Sequence, residues 1–274
     1  FMIKILIISL KKDIERREKL LQILKGYEQY YVFIDAVLGK ELDYQYLQSL
    51  PIHQVEKRKK RLVIPSEIGC TLSHLKAFKY IIDNKLEAAC ILEDDVILGP
   101  RFIQFIESIN TEDLKNNRND VFILGGQDGI DKSKYIAKSF WFKKNIGGQT
   151  FYRVMKSEIN VIRACSYIVS SDFAEKTIQL FESKYFLADE WGYFKDEQLY
   201  SAIYISNFVN HPIDLSNSNL EAGRLDASKR YIEKKSFVVS LKNTVKRSSV
   251  IMNVYRFSKD YFLTILTFLK RLSF

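Results

Sequence analysis

Cysteine is scarce in this chain of 274 residues: Cys70, Cys90 and Cys165 are odd in number, far apart and free of any Cys-x-x-Cys pair. That excludes a disulfide framework and a cysteine-built zinc site, and it fits a reducing cytoplasm. No apolar run reaches the ~18 residues of a spanning helix. The opening Phe1-Met2-Ile3-Lys4 lacks the basic stretch, apolar core and small-residue cleavage site of a secretory leader, so the expectation is a cytoplasmic protein. Gly-x-Gly-x-x-Gly is also missing, which leaves a dinucleotide-binding fold unsupported. Nothing resembles a groove-reading motif, so nucleic acid is not an expected partner. Disorder is not the default either, since 47% of the residues are apolar and 14% aromatic, enough for a sizeable core.

What the sequence does contain is an apolar run ending in acid. Ala88-Ala89-Cys90-Ile91-Leu92 leads straight into Glu93-Asp94-Asp95. A short unalternating apolar run reads as a strand buried on both faces. Three unpaired carboxylates inside a sheet would cost several kcal/mol each, so they should emerge at the strand's C-terminal edge, where open α/β sheets place their ligand crevice. Clustered acids repel one another unless a cation bridges them, and oxygen ligands suit Mg²⁺ or Mn²⁺, which in turn bind a diphosphate. The plain alternative is a solvated acidic turn.

The surrounding pattern reads as repeated strand–helix units. Ile3–Ile8 is a strand, Asp13 opens a helix through Leu24, and Tyr30–Val37 is a second strand closed by Leu38-Gly39. Residues 40–64 are irregular, and Lys57-Arg58-Lys59-Lys60-Arg61 reads as a solvated loop or a contact for an anionic acceptor. Pro65-Ser66 starts a helix whose stripe Ile68, Leu72, Leu75, Phe78 and Ile82 should face the core, with Glu67, Cys70, Thr71 and His74 on a neighbouring stripe. A helix over 101–108 precedes a strand over 120–124, and Gly125-Gly126 at its exit permit close approach of a ligand to the backbone. Residues 130–158 read as a long excursion, Val161–Val169 as a strand, and Asp172 with Glu175 as a capping box for the next helix. Asp196-Glu197 should open a further helix, leaving Asp189 as the better functional acid, and Phe208–Pro212 reads as a short edge strand or loop.

Charge divides the chain. Residues 229–274 hold 11 Lys/Arg and 2 Asp/Glu, a net +9, whereas the first 228 hold 31 of each sign. The expected organisation is a balanced domain over 1–228 and a basic amphipathic tail over 229–274, suited to an anionic membrane surface or to a protein face.

Glu67-Ile68-Gly69-Cys70-Thr71-Leu72-Ser73-His74, followed by Ile91-Leu92-Glu93-Asp94-Asp95-Val96, resembles glycosyltransferase family 25, which includes bacterial lipooligosaccharide galactosyltransferases and relatives of the collagen galactosyltransferases. Ile8-Ser9-Leu10, Arg16-Arg17, Ala36-Val37-Leu38-Gly39, Tyr167-Ile168-Val169-Ser170 and Ala188-Asp189-Glu190-Trp191 sit in matching order. Ser9 stands where the family usually has Asn, and Leu38 where it has Asp. The resemblance implies an α/β, GT-A-like fold with a mainly parallel central sheet, a UDP-sugar donor, Mn²⁺ (or Mg²⁺) and inversion at the anomeric carbon. It implies Glu93, Asp95 and His211 as metal ligands and Asp189, then Glu190, as the base. Ser9, Arg16, Glu67, Ser73, His74, Asp94, Gly125 and Gly126 are implied around the nucleotide, with Glu67, Ser73 and His74 alternatively locking their helix to the sheet. The implied acceptor is a lipid-linked oligosaccharide at the inner face of a bacterial inner membrane. A nucleotidyltransferase and a non-enzymatic polyanion-binding adaptor are the competing expectations.

Overall fold

The computed structural model describes residues 3–212. The basic tail, and the boundary at residue 228, lie outside the described residues. Strands β1 (Lys4–Ser9) and β2 (Tyr31–Asp35) flank helix α1 (Ile14–Ile23). Two short helices, α2 (Tyr44–Ser49) and α3 (His53–Lys59), lead to the long α4 (Pro65–Asp83). Strand β3 (Ala88–Glu93) follows, then α5 (Pro100–Ser108), α6 (Thr111–Lys115) and β4 (Asp120–Gly125). β5 (Lys138–Ile146) and β6 (Gln149–Val154) form a hairpin. The described chain closes with β7 (Ser166–Ser170), α7 (Ser171–Ser183), α8 (Trp191–Asp196) and β8 (Ala202–Val209).

All eight strands join one sheet in the order β2-β1-β3-β7-β4-β8-β6-β5. Alternation along the strands divides the core into two layers. Ile5, Ile7, Cys90 and Leu92 pack with Leu20 and Leu24 and with Phe102, Phe105 and Ile106 of α5. Leu6, Ile8, Ala89 and Ile91 pack on the opposite face with Ala77, Phe78 and Ile81 of α4, Phe173 and Ala174 of α7, and Trp191. A sheet covered on both faces explains why the strands read as continuous apolar runs. A small satellite core, Val55, Val63, Ile68, Tyr185 and Leu187, fastens α3 beside α4.

Several sequence expectations need correction. The sheet is mixed rather than mainly parallel: β1–β2, β1–β3 and β4–β8 are parallel, but β3–β7, β4–β7, β5–β6 and β6–β8 are antiparallel. Residues 130–158 are no open excursion; they fold into the β5–β6 hairpin, turning at Gly147 and Gly148, both at positive φ. Ser170, not Asp172, caps α7, its hydroxyl accepting from Phe173 N at 3.2 Å. The helix expected to open at Asp196 ends there. The short edge strand expected at 208–212 is the end of β8, an interior strand between β4 and β6.

Gly69 sets how closely α4 approaches the turn that leaves β2. A Cβ there would lie 2.5 Å from Val37 O and 2.6 Å from Gly39 N, both rigid backbone. Gly69→Ala should therefore destabilise the fold by about 2 kcal/mol or more. In a thermal melt that is a fall in Tm of roughly 4–8 °C. An unchanged Tm would show that the turn can move away from α4.

Candidate functional site

Four parallel strands, β1, β3, β4 and β8, end at the same edge of the sheet, and antiparallel β7 begins there. Ile8 stands beside Glu93 in the β1–β3 register, and Glu93 N donates to Cys165 O at 2.8 Å. Beyond the strand, Ile97 and Asn210 exchange both backbone hydrogen bonds, 2.8 and 3.0 Å, which pins the loop after the acids to the end of β8. These contacts carry Ser9, the three acids, Gly125-Gly126 and His211 to one crevice.

Each acid has a different environment. Arg16 Nη1 lies 3.1 Å from Asp94 Oδ1 and 3.9 Å from Asp95 Oδ2. Burial pushes the Asp94 carboxyl up from the usual range, against the pull of Ser9 and Arg16. Asp95 is moved the other way: burial opposes ionisation, but adjacent His211 and Arg16 hold its carboxyl below the usual range. Glu93 Oε1 faces His74 Nε2 at 3.2 Å and Cys70 Sγ at 3.7 Å, while His74 Nδ1 meets Tyr167 Oη at 2.7 Å. An ionised carboxylate only accepts, so the His74 proton belongs on Nε2 and Nδ1 accepts from the tyrosine. Tyr167 stands beside Ile91 in the β3–β7 register, so the relay Tyr167–His74–Glu93 is built from the sheet and α4 together.

Carboxylate oxygens of Glu93 and Asp95 and a ring nitrogen of His211 lie within 4.8 Å of one another. His211 Nδ1 donates to Pro212 O at 2.9 Å, which turns Nε2 toward Asp95 Oδ1 at 3.4 Å. At that distance the two make an ion-pair contact, and Asp95 Oδ1 is buried without a hydrogen-bond partner. A buried acceptor facing a ring nitrogen is the arrangement a cation satisfies. Two carboxylates with one imidazole suit Mn²⁺, which takes both ligand types, better than Mg²⁺, which prefers oxygen alone. The residues fit such an ion.

Other expected residues form a second group. Arg61 forks onto the buried Glu67 through both terminal nitrogens, 2.7 Å at the longer. Arg58 holds both oxygens of Glu190 at 3.2 and 2.9 Å, and Glu190 also accepts from Leu187 N. Lys59 Nζ stands 3.5 Å from Asp189 Oδ1. Lys57–Arg61 is thus not a solvated loop: Arg58, Lys59 and Arg61 meet Glu190, Asp189 and Glu67. Ser73 accepts from Val37 N at 2.8 Å and donates to Gly69 O at 2.6 Å, so it locks α4 to the β2 exit. The two groups meet on α4, where Thr71 Oγ1 accepts from Ala188 N at 3.2 Å, next to Cys70 and one turn from His74.

Gly126 sits at φ +76, where a Cβ would meet Cys165 Sγ at 2.2 Å. Its carbonyl accepts from Arg163 Nη1 at 2.8 Å, placing a guanidinium beside the strand exits. Arg163, Cys70 and Tyr167 were not singled out from sequence as site residues. Cys70 lay on the Glu67–His74 stripe and Tyr167 in the Tyr167–Ser170 run that matches the family; Arg163 carried no such signal.

A family model described as "Glycosyltransferase family 25 (LPS biosynthesis protein)" matches residues 2–191. The chain belongs to glycosyltransferase family 25. Human procollagen galactosyltransferase 2 is 35% identical over 103 residues, covering 36% of this chain and 16% of that protein. A Drosophila melanogaster glycosyltransferase 25 family member is 31% identical over 105 residues, 37% of this chain and 17% of its own length. A Haemophilus influenzae protein with a provisional glycosyltransferase name is 24% identical over 256 residues, 90% of this chain and 85% of its own. The chain therefore spans about a sixth of the procollagen galactosyltransferase it matches. In this family 25 chain, replacing Glu190 by Gln removes the charge that Arg58 neutralises at a nearly buried position. We expect a stability loss of about 2–4 kcal/mol in urea unfolding. A loss within ~0.5 kcal/mol would show the pair to be dispensable.

Proposed function

We propose that this chain is a metal-dependent inverting glycosyltransferase. It moves a hexose, galactose first, from a UDP-sugar to a lipid-linked oligosaccharide at the anionic inner face of a bacterial inner membrane. The observation that carries the reading is the convergence of Glu93, Asp95 and His211 ligand atoms within 4.8 Å at the C-terminal edge of the sheet. Family membership supports the transfer chemistry, and the galactosyltransferase names of several relatives favour galactose.

Glu93, Asp95 and His211 would hold Mn²⁺, whose charge would offset the negative charge growing on a departing diphosphate. His74, tied to Tyr167, would keep the Glu93 carboxylate aimed into the crevice. Arg16, half-exposed on its side chain beside Asp94 and Asp95, would meet a donor phosphate. Asp189 would take the proton from the acceptor hydroxyl, since both oxygens of neighbouring Glu190 are committed to Arg58.

The test is turnover of a panel of UDP-sugars with and without Mn²⁺, alongside calorimetric titration of the metal. EDTA should abolish transfer and added Mn²⁺ restore it. Asp95→Asn should weaken Mn²⁺ binding by about 100-fold and remove transfer with it. Transfer that survives both treatments would defeat the metal assignment. Asp189→Asn should lower kcat by roughly 10²–10⁴ while KM changes little. A rise in KM alone would make Asp189 a binding group.

A further inference from the structure

The β5–β6 hairpin carries a surface apart from the residues assigned to transfer above. β5 is the outer strand of the sheet, two strands beyond β8. In a regular strand, neighbouring side chains alternate between faces. Here the alternation breaks: Ser139 Oγ accepts from Trp141 N at 3.2 Å and from Phe142 N at 2.9 Å, and the pairing with β6 shifts register between Lys138 and Lys143. The result is three consecutive exposed aromatics, Phe140 at 78%, Trp141 at 83% and Phe142 at 56%. Tyr135 and Met155 are exposed on the adjoining segments, which Met155 N joins by donating to Ala137 O at 2.8 Å.

Charge identifies the occupant. Residues 131–160 contain seven Lys/Arg and two Asp/Glu, a net +5. Lys138 and Lys143 flank the aromatics and are exposed, with Lys132, Lys134 and Lys156 nearby in sequence and also exposed. Lys144, by contrast, is paired with Asp120. Exposed aromatics ringed by lysines have the composition of a membrane-interface anchor: rings enter at the headgroup level and ammonium groups meet anionic lipid. A glycan platform would instead set its aromatic rings in a concave site with polar side chains to orient hydroxyls. The triplet stands on the sheet's edge with lysines beside it.

We infer that Phe140-Trp141-Phe142 and the lysines around it form an anchor that dips into an anionic lipid bilayer. The inference stands on this surface alone, so it can fail while the transferase reading holds, and the reverse. It is separate from the basic tail, which is present in every arm of the test.

Trp141 supplies the readout. The chain has two tryptophans, and Trp191 is buried, 1% exposed, so any change of exposed indole emission on vesicle addition belongs to Trp141. The full chain is mixed with phosphatidylcholine vesicles with or without about 30% phosphatidylglycerol, and with the same vesicles carrying brominated acyl chains. The expected result is a blue shift and bromine quenching of Trp141 with the anionic vesicles only. Phe140→Ser with Phe142→Ser keeps the reporter and should lower partitioning about tenfold or more. Lys138→Glu with Lys143→Glu should do likewise, and an unchanged melt and Trp191 emission confirm that both variants are folded. Sedimentation with vesicles while Trp141 stays unquenched overturns the inference, because another part of the chain then makes the contact. Equal partitioning into neutral vesicles overturns it as well. So does a Trp141 shift produced without vesicles, either by a soluble phosphorylated oligosaccharide or by raising protein concentration.

Discussion

Like charge crowded at the end of β3 is the constraint that the crevice is arranged to meet. Two carboxylates ~4 Å apart repel by about 4 kcal/mol at a surface-like effective dielectric. Their neighbours divide the task. Arg16 faces Asp94 and Asp95 from α1, His211 faces Asp95 from the end of β8, and His74 faces Glu93 from α4. Three elements far apart in sequence thus supply cationic or hydrogen-bonding groups to one strand end. The Ile97–Asn210 bridge keeps the last of them in reach.

A second group of ion pairs braces the helices beside the sheet. Arg58 and Arg61 flank the end of α3 and reach Glu190 and Glu67, both nearly buried. Ionised groups at such depth persist only with good geometry and extra hydrogen bonds. Glu67 and Glu190 meet that condition by also accepting from Ile64 N and Leu187 N. The acids of this group tie α3, α4 and the 185–190 segment together, and Asp189 lies in that segment beside Lys59.

Much of the frame was legible because burial leaves a plain signature. Apolar runs at Ile3–Ile8 and Ala88–Leu92, each between covered faces, could only be interior strands, and the three acids marked which end faced solvent. Strand direction was not legible: nothing in Ser166–Ser170 says that it runs against β3 and β4, so the sheet was expected to be mainly parallel. Most of β8 escaped notice because Tyr204, Ser206 and the exposed Asn207 interrupt its apolar run. On α4 the apolar stripe pointed to Ile68, Leu72, Leu75, Phe78 and Ile82; Ile68 and Phe78 are buried, yet Ile82 is 37% exposed while Glu67, Thr71, Ser73 and His74 are buried. Hydrophobic spacing finds the face that packs on apolar neighbours. A face that packs by mutual hydrogen bonding has no such signal, and its partners, Arg61, Ala188, Val37 and Tyr167, were visible only after folding.

The family match ends at residue 191, short of β8, yet β8 threads between β4 and β6 and delivers His211. A fragment cut at the end of the matched span would leave β4 with one bare edge and strand the β5–β6 ribbon away from the sheet. The contact between Asp95 and His211 closes a loop of more than a hundred residues, and such long closures carry the entropy that slows folding. The acid cluster therefore has its His211 partner only where β8 is in place, which ties the geometry of the strand end to completion of the sheet.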